Sequence, residues 1–408
     1  MDIQHIRDMF PTLSRKVYGK DLVYFDNAAT SQRSQSVIDE WNRVSTESNA
    51  NIHRAVHRLA DEATQAYESA RDAVKEFINA GTREEIVFTS GTTAAVNLVA
   101  FCFGEAYVKE GDEVVVTEAE HHSNIVPWQM MCRRKGAVLK VLPVDDSGHL
   151  EMDKLEDILT ERTRIMAVTH ISNVLGIINP VKEIISICHS KGVPVLVDGA
   201  QGIVHCNVDV QDLDCDFYVF SGHKMYAATG TGVLYGKRKW LESMPPYMGG
   251  GEMVGTVTFA ETTYAPLPMK FEAGTQNFAS AATLKPAIEV VNLLNDNKLI
   301  KYNDSVRDYL LDFLMNDSRI VLYGVPRGTK EEKIPLFSFA VKGVHHEDLA
   351  LILDKMGVAV RSGQMCAEPL MDRLGVSGLL RVSVAPYNTM EEAEYFVKCL
   401  NKAIDMLI

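Results

Sequence analysis

Between about residues 60 and 240 the chain repeats one pattern: a short β-branched run, a polar tip, then a stretch with apolar residues three to four apart. The runs are Glu85–Thr89, Glu113–Thr117, Ala137–Leu142, Arg164–Thr169, Val193–Val197, Phe217–Phe220 and Gly232–Tyr235. Ala66–Ile78 and Val181–His189 are two of the helical stretches. Strands alternating with helices predict βαβ units and a mostly parallel sheet, here of seven strands. Runs that are apolar throughout, rather than at every second residue, predict a sheet covered on both faces. The pattern stops at the Pro-rich stretch Ala265–Pro268. Beyond it, a helical region from Ser280 to about Met315, strands at Leu336–Val341 and Val358–Arg361, and helices at His346–Lys355 and Met390–Leu407 predict a smaller α+β domain. The expected division is an arm (1–17) packing with the small domain, a large domain (18–270) and a small domain (271–408).

Composition excludes several classes of function. A net charge of −13 disfavours binding to a nucleic-acid backbone. No apolar run approaches the ~20 residues needed to cross a bilayer. The start, MDIQHIRDMFPTL, has no basic segment, apolar core or small-residue cleavage site, so a cytoplasmic protein is expected. The seven cysteines are an odd number and none falls in a C-x-x-C pair, so neither a metal site nor a disulfide framework is expected. A buried, inert thiol is the ordinary reading of each.

The strand tips carry the chemistry. Ligands of open α/β sheets bind outside the carboxyl ends of the strands. Here those ends read Ser90-Gly-Thr-Thr93, Glu118-Ala-Glu-His-His122, His170-Ile-Ser-Asn173, Asp198-Gly-Ala-Gln201 and Ser221-Gly-His-Lys224. Five polar tips on one edge predict one site. Ser90–Thr93 opens a helix, whose N-terminus suits a phosphate, although a plain helix cap would use the same residues. No lysine follows Gly91, so it is not a nucleotide P-loop. Asp198 ends a very apolar strand, where a carboxylate is costly without a cationic partner such as a protonated ring nitrogen. A desolvated Lys224 can act as nucleophile or base. An aldehyde-reactive lysine, a carboxylate for a ring nitrogen and a phosphate-binding helix start together describe a pyridoxal phosphate site.

The chain resembles the fold-type-I pyridoxal phosphate enzymes, and closely the SufS-type (group II) cysteine desulfurases of the class-V aminotransferase family. The resemblance spans essentially the whole chain. It rests on Tyr24-Phe-Asp-Asn-Ala-Ala-Thr30, Asn51-Ile-His-Arg54, Ser90–Thr93, Glu120–Trp128, Asn173, Asp198–Gln201, Ser221-Gly-His-Lys-Met-Tyr226, Gly249-Gly-Gly-Glu252, Phe271-Glu-Ala-Gly-Thr275 and Arg361-Ser-Gly-Gln-Met-Cys-Ala367.

That resemblance implies a role for each site residue. Lys224 would hold the cofactor and Asp198 its ring nitrogen. Gln201 would meet the ring hydroxyl oxygen, while His121 would stack on the ring and act as acid or base. Thr92, Thr93, Ser221 and His223 would bind the phosphate. Thr275 would reach the phosphate of a neighbouring subunit, so a homodimer is implied. Arg381 would clamp the substrate carboxylate near Asn173, with Arg361 and His53 lining the pocket. Cys366 would attack the sulfur of L-cysteine, yielding L-alanine and a persulfide. The sulfur would pass to a SUF-type acceptor for iron–sulfur cluster assembly. Selenocysteine lyase or cysteine sulfinate desulfinase activity is the alternative within this chemistry. Outside it stand a serine hydrolase built on the S-x-x-K of Ser221–Lys224, which lacks the K-T-G and S-D-N partners, and a silent scaffold. Two positions depart from the family pattern. Ala227-Ala228 replaces Gly-Pro, and Gln364-Met365 stands where a histidine often precedes the cysteine.

Overall fold

The computed structural model describes residues 3–408. The seven expected strands form one sheet: β1 Ile86–Thr89, β2 Glu113–Thr117, β3 Val138–Leu142, β4 Thr163–Thr169, β5 Val195–Asp198, β6 Phe217–Ser221 and β7 Gly232–Gly236. Their spatial order is β1-β7-β6-β5-β4-β2-β3. Six strands run parallel, and β7 is antiparallel to both β6 and β1. Chain length explains the exception. Only residues 222–231 join β6 to β7, and a parallel crossover needs about a dozen residues or more. The order reverses between β2 and β4, which opens a crevice at the carboxyl edge.

Both faces of the sheet are buried. Phe88, Val115, Met166, Val168, Val197 and Phe220 point into one core. Their chain neighbours Val87, Val114, Val116, Ala167, Leu196 and Val219 point into another. Period-two alternation therefore divides residues between two apolar cores instead of between core and solvent.

The smaller sheet is antiparallel, in the order Ile320–Tyr323, Leu336–Val341, Leu379–Ser383, Arg361–Gly363. It packs on His346–Lys355, Met390–Leu407 and the second half of the helix Asn297–Asn316. Two details differ from the sequence reading. The run read as one strand, Val358–Arg361, is two: Val358–Ala359 pairs in parallel with Val23–Tyr24, and Arg361–Gly363 pairs with Leu379–Arg381. The helical region from Ser280 is three helices, Phe278–Ala282, Leu284–Leu294 and Asn297–Asn316. The first two bury Ala281, Leu284, Ile288 and Val291 in the core of the large domain. We therefore propose a domain division near Asn295, not at 271. The arm is tied by Arg7, which donates to the Tyr387 carbonyl at 2.8 Å and pairs with Glu392 at 2.9 Å.

Candidate active site

The carboxyl tips of β1, β4, β5 and β6 and the turn after β2 surround a cavity of about 210 Å³. Its wall includes Thr92, Thr93, His121, Asn173, Asp198, Gln201, Ser221, His223 and Lys224 from the large domain, and Arg361, Cys366 and Arg381 from the small one. At one end, Gly91 precedes the helix Thr92–Tyr107 with φ +149°, a backbone that side chains rarely adopt. A Cβ on Gly232 would stand 2.4 Å from the Gly91 Cα, so β7 approaches this turn through bare backbone. Ser221 Oγ accepts the Thr92 N–H at 2.8 Å and lies 2.8 Å from the Thr92 hydroxyl. Thr93 pairs with Ser123 at 2.7 Å. This arrangement makes a ring of hydroxyls around a positive helix end. It also places Ser221 at this helix start, bonded to Thr92.

Asp198 ends β5 and is buried. One of its oxygens accepts the Ala200 N–H at 2.9 Å, and no other hydrogen bond to it occurs among the described residues. Burial raises its pKa, opposed by the Ala200 hydrogen bond and by Lys224. Lys224 follows β6 in a short 3₁₀ turn. Burial lowers its pKa, with Asp198 acting in the opposite direction. Among the described residues Lys224 has no salt bridge. Burial, with the positive charge of Lys224, pushes His121 down to about 4. Its Nδ1 accepts the Ser123 N–H at 3.0 Å, so the neutral ring carries its proton on Nε2. His223 is likewise pushed down to about 4 by burial. Gln201 donates to the Ala28 carbonyl at 2.9 Å.

Across the cavity, Arg381 is buried and donates to the Asn173 carbonyl at 2.9 Å and to Asp26 at 3.3 Å. Its Nε has no partner among the described residues. Arg361 lies 3.6 Å from the other Asp26 oxygen. Burial raises the Asp26 pKa, and the two arginines hold it down. Cys366 is the one exposed cysteine of the seven. Met365 and Cys366 both have left-handed backbones, φ +55° and +54°. Two hydrogen bonds from the large domain hold them: Asn173 donates to the Met365 carbonyl at 2.9 Å, and the His122 N–H to the Cys366 carbonyl at 2.8 Å. His122 also pairs with Glu368 at 2.6 Å. The imidazole that touches this loop thus comes from the large domain, where Gln364 and Met365 supply none.

The class-V aminotransferase family model matches residues 23–396. The chain belongs to the aminotransferase class-V family. A cysteine desulfurase of Cronobacter sakazakii is 45% identical over 396 residues, 97% of this chain and 96% of that one. A cysteine desulfurase of Synechococcus elongatus is also 45% identical over 98% of this chain, which spans 63% of that relative's length. Among solved structures, the S-sulfonic acid form of the Escherichia coli cysteine desulfurase CsdA matches at TM-score 0.90 and 38% identity, with both chains covered in full. The apo cysteine desulfurase of Thermococcus onnurineus matches at TM-score 0.92 and 35% identity, covering 100% of this chain and 99% of that one. The fold is therefore that of the fold-type-I enzymes.

The family depends on pyridoxal phosphate, and the cavity fits it. The donor set offers a carboxylate with a free oxygen, a lysine without an ion pair and a helix start ringed by hydroxyls. Two expected residues lie elsewhere. His53 points away, bonded to Glu68 at 3.1 Å and edge-on to Tyr67. Thr275 lines a separate hollow with Tyr247 and Met248. The sequence reading gave no role to Asp26, which balances both arginines, or to Ser123. Both sit inside motifs that were visible, Tyr24–Thr30 and Glu120–Trp128. The Ala227-Ala228 departure leaves a turn with Tyr226 at φ +69°. The Ala228 N–H donates to Thr283 at 3.0 Å.

Proposed function

We propose that this chain is a cysteine desulfurase of the SufS type, converting L-cysteine to L-alanine with a persulfide on Cys366. The observation that carries the reading is the exposed Cys366 thiol on a strained loop, facing the same cavity as Lys224, Asp198 and Arg381. Three of those groups would hold the cofactor or substrate. Lys224 would hold the cofactor aldehyde, Asp198 the ring nitrogen and Arg381 the substrate carboxylate. Gln201 would meet the ring hydroxyl and His121 the ring face. Thr92, Thr93, Ser221 and His223 would take the phosphate. When bound, the cofactor supplies the electron sink that acidifies the substrate Cα proton.

The remaining work falls to the chain's own residues. Lys224, favoured as the neutral amine by burial, accepts the Cα proton. Arg381, which lines the cavity, would supply the charge-assisted donors that a substrate carboxylate requires. His121 offers a neutral ring and an Nε2 proton. The Cys366 thiolate attacks the substrate sulfur, an S–S bond forms, and the Cβ–S bond breaks. The electron pair stays with the carbon, which takes up protons and leaves as alanine. The sulfur is oxidised as the carbon is reduced, so no outside oxidant is needed. Because Cys366 is exposed, its persulfide is open to an acceptor, for which we propose a SUF-type carrier serving iron–sulfur cluster assembly. A homodimer is supported by Thr275, which lies beside the exposed Tyr247 and Met248 instead of in this cavity. We also propose a cytoplasmic location. No described helix is long and apolar enough to cross a membrane.

The test is Cys366→Ala. Its visible spectrum with bound cofactor should match the wild type, while alanine release from L-cysteine and persulfide formation are lost. Wild-type alanine release from that variant would refute the role of Cys366.

A further inference from the structure

Asn173 reaches the residue before Cys366 from a loop, 173–176, whose own anchoring has a plain pattern. Four successive carbonyls of this loop each accept a donor from the small domain. Arg381 donates to Asn173 at 2.9 Å and Ser338 to Val174 at 2.5 Å. Lys333 donates to Leu175, and the Ile334 N–H to Gly176 at 2.9 Å. Lys333 and Ser338 are both fully buried. Lys333 has no acidic partner among the described residues. Its Nζ meets the Leu175 carbonyl and lies 5.6 Å from the centre of the Phe337 ring. A lysine with a single acceptor in an apolar site is a costly arrangement. Burial pushes its pKa down to about 7.

The loop has a task that would justify that cost. Met365 and Cys366 each sit in a left-handed conformation that is strained for non-glycine residues. Such a loop keeps its shape only if neighbours hold it. One of its two holds is the Asn173 side chain, and Asn173 is only as fixed as the loop that carries it.

We propose that Lys333 and Ser338 are positioning residues for sulfur abstraction: they fix loop 173–176, and through Asn173 they fix the approach of Cys366. The proposal rests on the desulfurase reading above. It predicts a loss specific to the step that needs Cys366. With L-selenocysteine, whose weaker C–Se bond can break without thiolate attack, the step is bypassed.

The experiment compares Lys333→Met, Ser338→Ala and Ser338→Thr in the holoenzyme. It measures alanine release from L-cysteine and L-selenocysteine, and the rate at which iodoacetamide alkylates Cys366, read by peptide mass. In Lys333→Met and Ser338→Ala the ratio of cysteine to selenocysteine turnover should fall roughly tenfold, within the ~10²-fold that a 1 Å misplacement can cost. Alkylation of Cys366 should change in the same two variants, and Ser338→Thr, which keeps the hydroxyl, should stay near the wild type. Equal losses on both substrates, or a shifted melting temperature with an unchanged ratio, would show a merely structural role and overturn the proposal. The two readings fail differently. If wild type released no alanine from L-cysteine, the desulfurase reading would fall, while unchanged alkylation in both variants would by itself remove the positioning role.

Discussion

Lys333→Met should stabilise the protein, and by an amount that depends on pH in a calculable way. Folding moves the Lys333 amine from an ordinary pKa of 10.5 to about 7, because burial disfavours its charge. Below pH ~7 the amine is protonated in both folded and unfolded chains, and the folded state carries the whole penalty, roughly 5 kcal/mol at 1.36 kcal/mol per pH unit. Between pH ~7 and ~10.5 only the unfolded chain binds the proton, so wild-type stability rises with pH by about 1.4 kcal/mol per unit from this group. Above that window the penalty is gone. Methionine has similar length and no charge. It forfeits the hydrogen bond to the Leu175 carbonyl, a loss of about 1–3 kcal/mol that does not vary with pH. The variant should therefore be the more stable protein at pH 6.5, and its advantage should shrink by roughly 2.3 kcal/mol between pH 7 and 9, because the folded amine is already half deprotonated at pH 7. Urea unfolding of both proteins at several pH values, with a shared slope, measures the difference. Other titrating groups are common to both chains and cancel. An advantage that stayed constant across that range would refute the argument, because it would mean that Lys333 titrates alike in the folded and unfolded states.

Three further outcomes are expected at the cofactor site. Borohydride trapping of bound cofactor followed by peptide mapping should mark Lys224, and Lys224→Ala should abolish turnover; a label on another lysine would move the site. Asp198→Asn should still bind cofactor, seen in its absorption, but lose roughly 10²–10³-fold in kcat, the scale on which a single preorganised electrostatic partner acts; near-normal turnover would exclude the ring-nitrogen role. Gly232→Ala would drive a methyl to 2.4 Å from the Gly91 Cα, between two backbones that cannot both yield. Pyridoxal phosphate should then bind at least tenfold more weakly, on the order of the 1–3 kcal/mol of overpacking, and unchanged binding measured by fluorescence titration would show that the phosphate end tolerates the shift.

Much of the large domain is present in local sequence. The strands are runs such as Val114–Val116 and Leu196–Val197, buried on both sides, and their apolar character does not depend on knowing their neighbours. The polar tips are legible for the same reason: a group such as Asp198, at the end of so apolar a strand, marks a place where the chain leaves the core for a ligand. What the local pattern does not contain is partner choice. Val358–Arg361 looks like one strand, yet hydrogen bonds to Val23–Tyr24 and to Leu379–Arg381 divide it, and both partners are distant in sequence. Leu284–Leu294 follows the change in texture but buries its apolar side in the earlier domain, because a helix's periodicity shows that it has a face and not which surface covers that face. His53 and Thr275 carry family motifs, and only the folded chain shows that they point away from its own cavity. Cys366 is one thiol among seven in the sequence. Burial raises the thiol pKa of the other six and leaves Cys366 at the surface, on a backbone held by donors about 190 and 240 residues away. Local chemistry thus determined which residues could act. Long-range packing, whose contacts no short window of sequence contains, decided which of them meet.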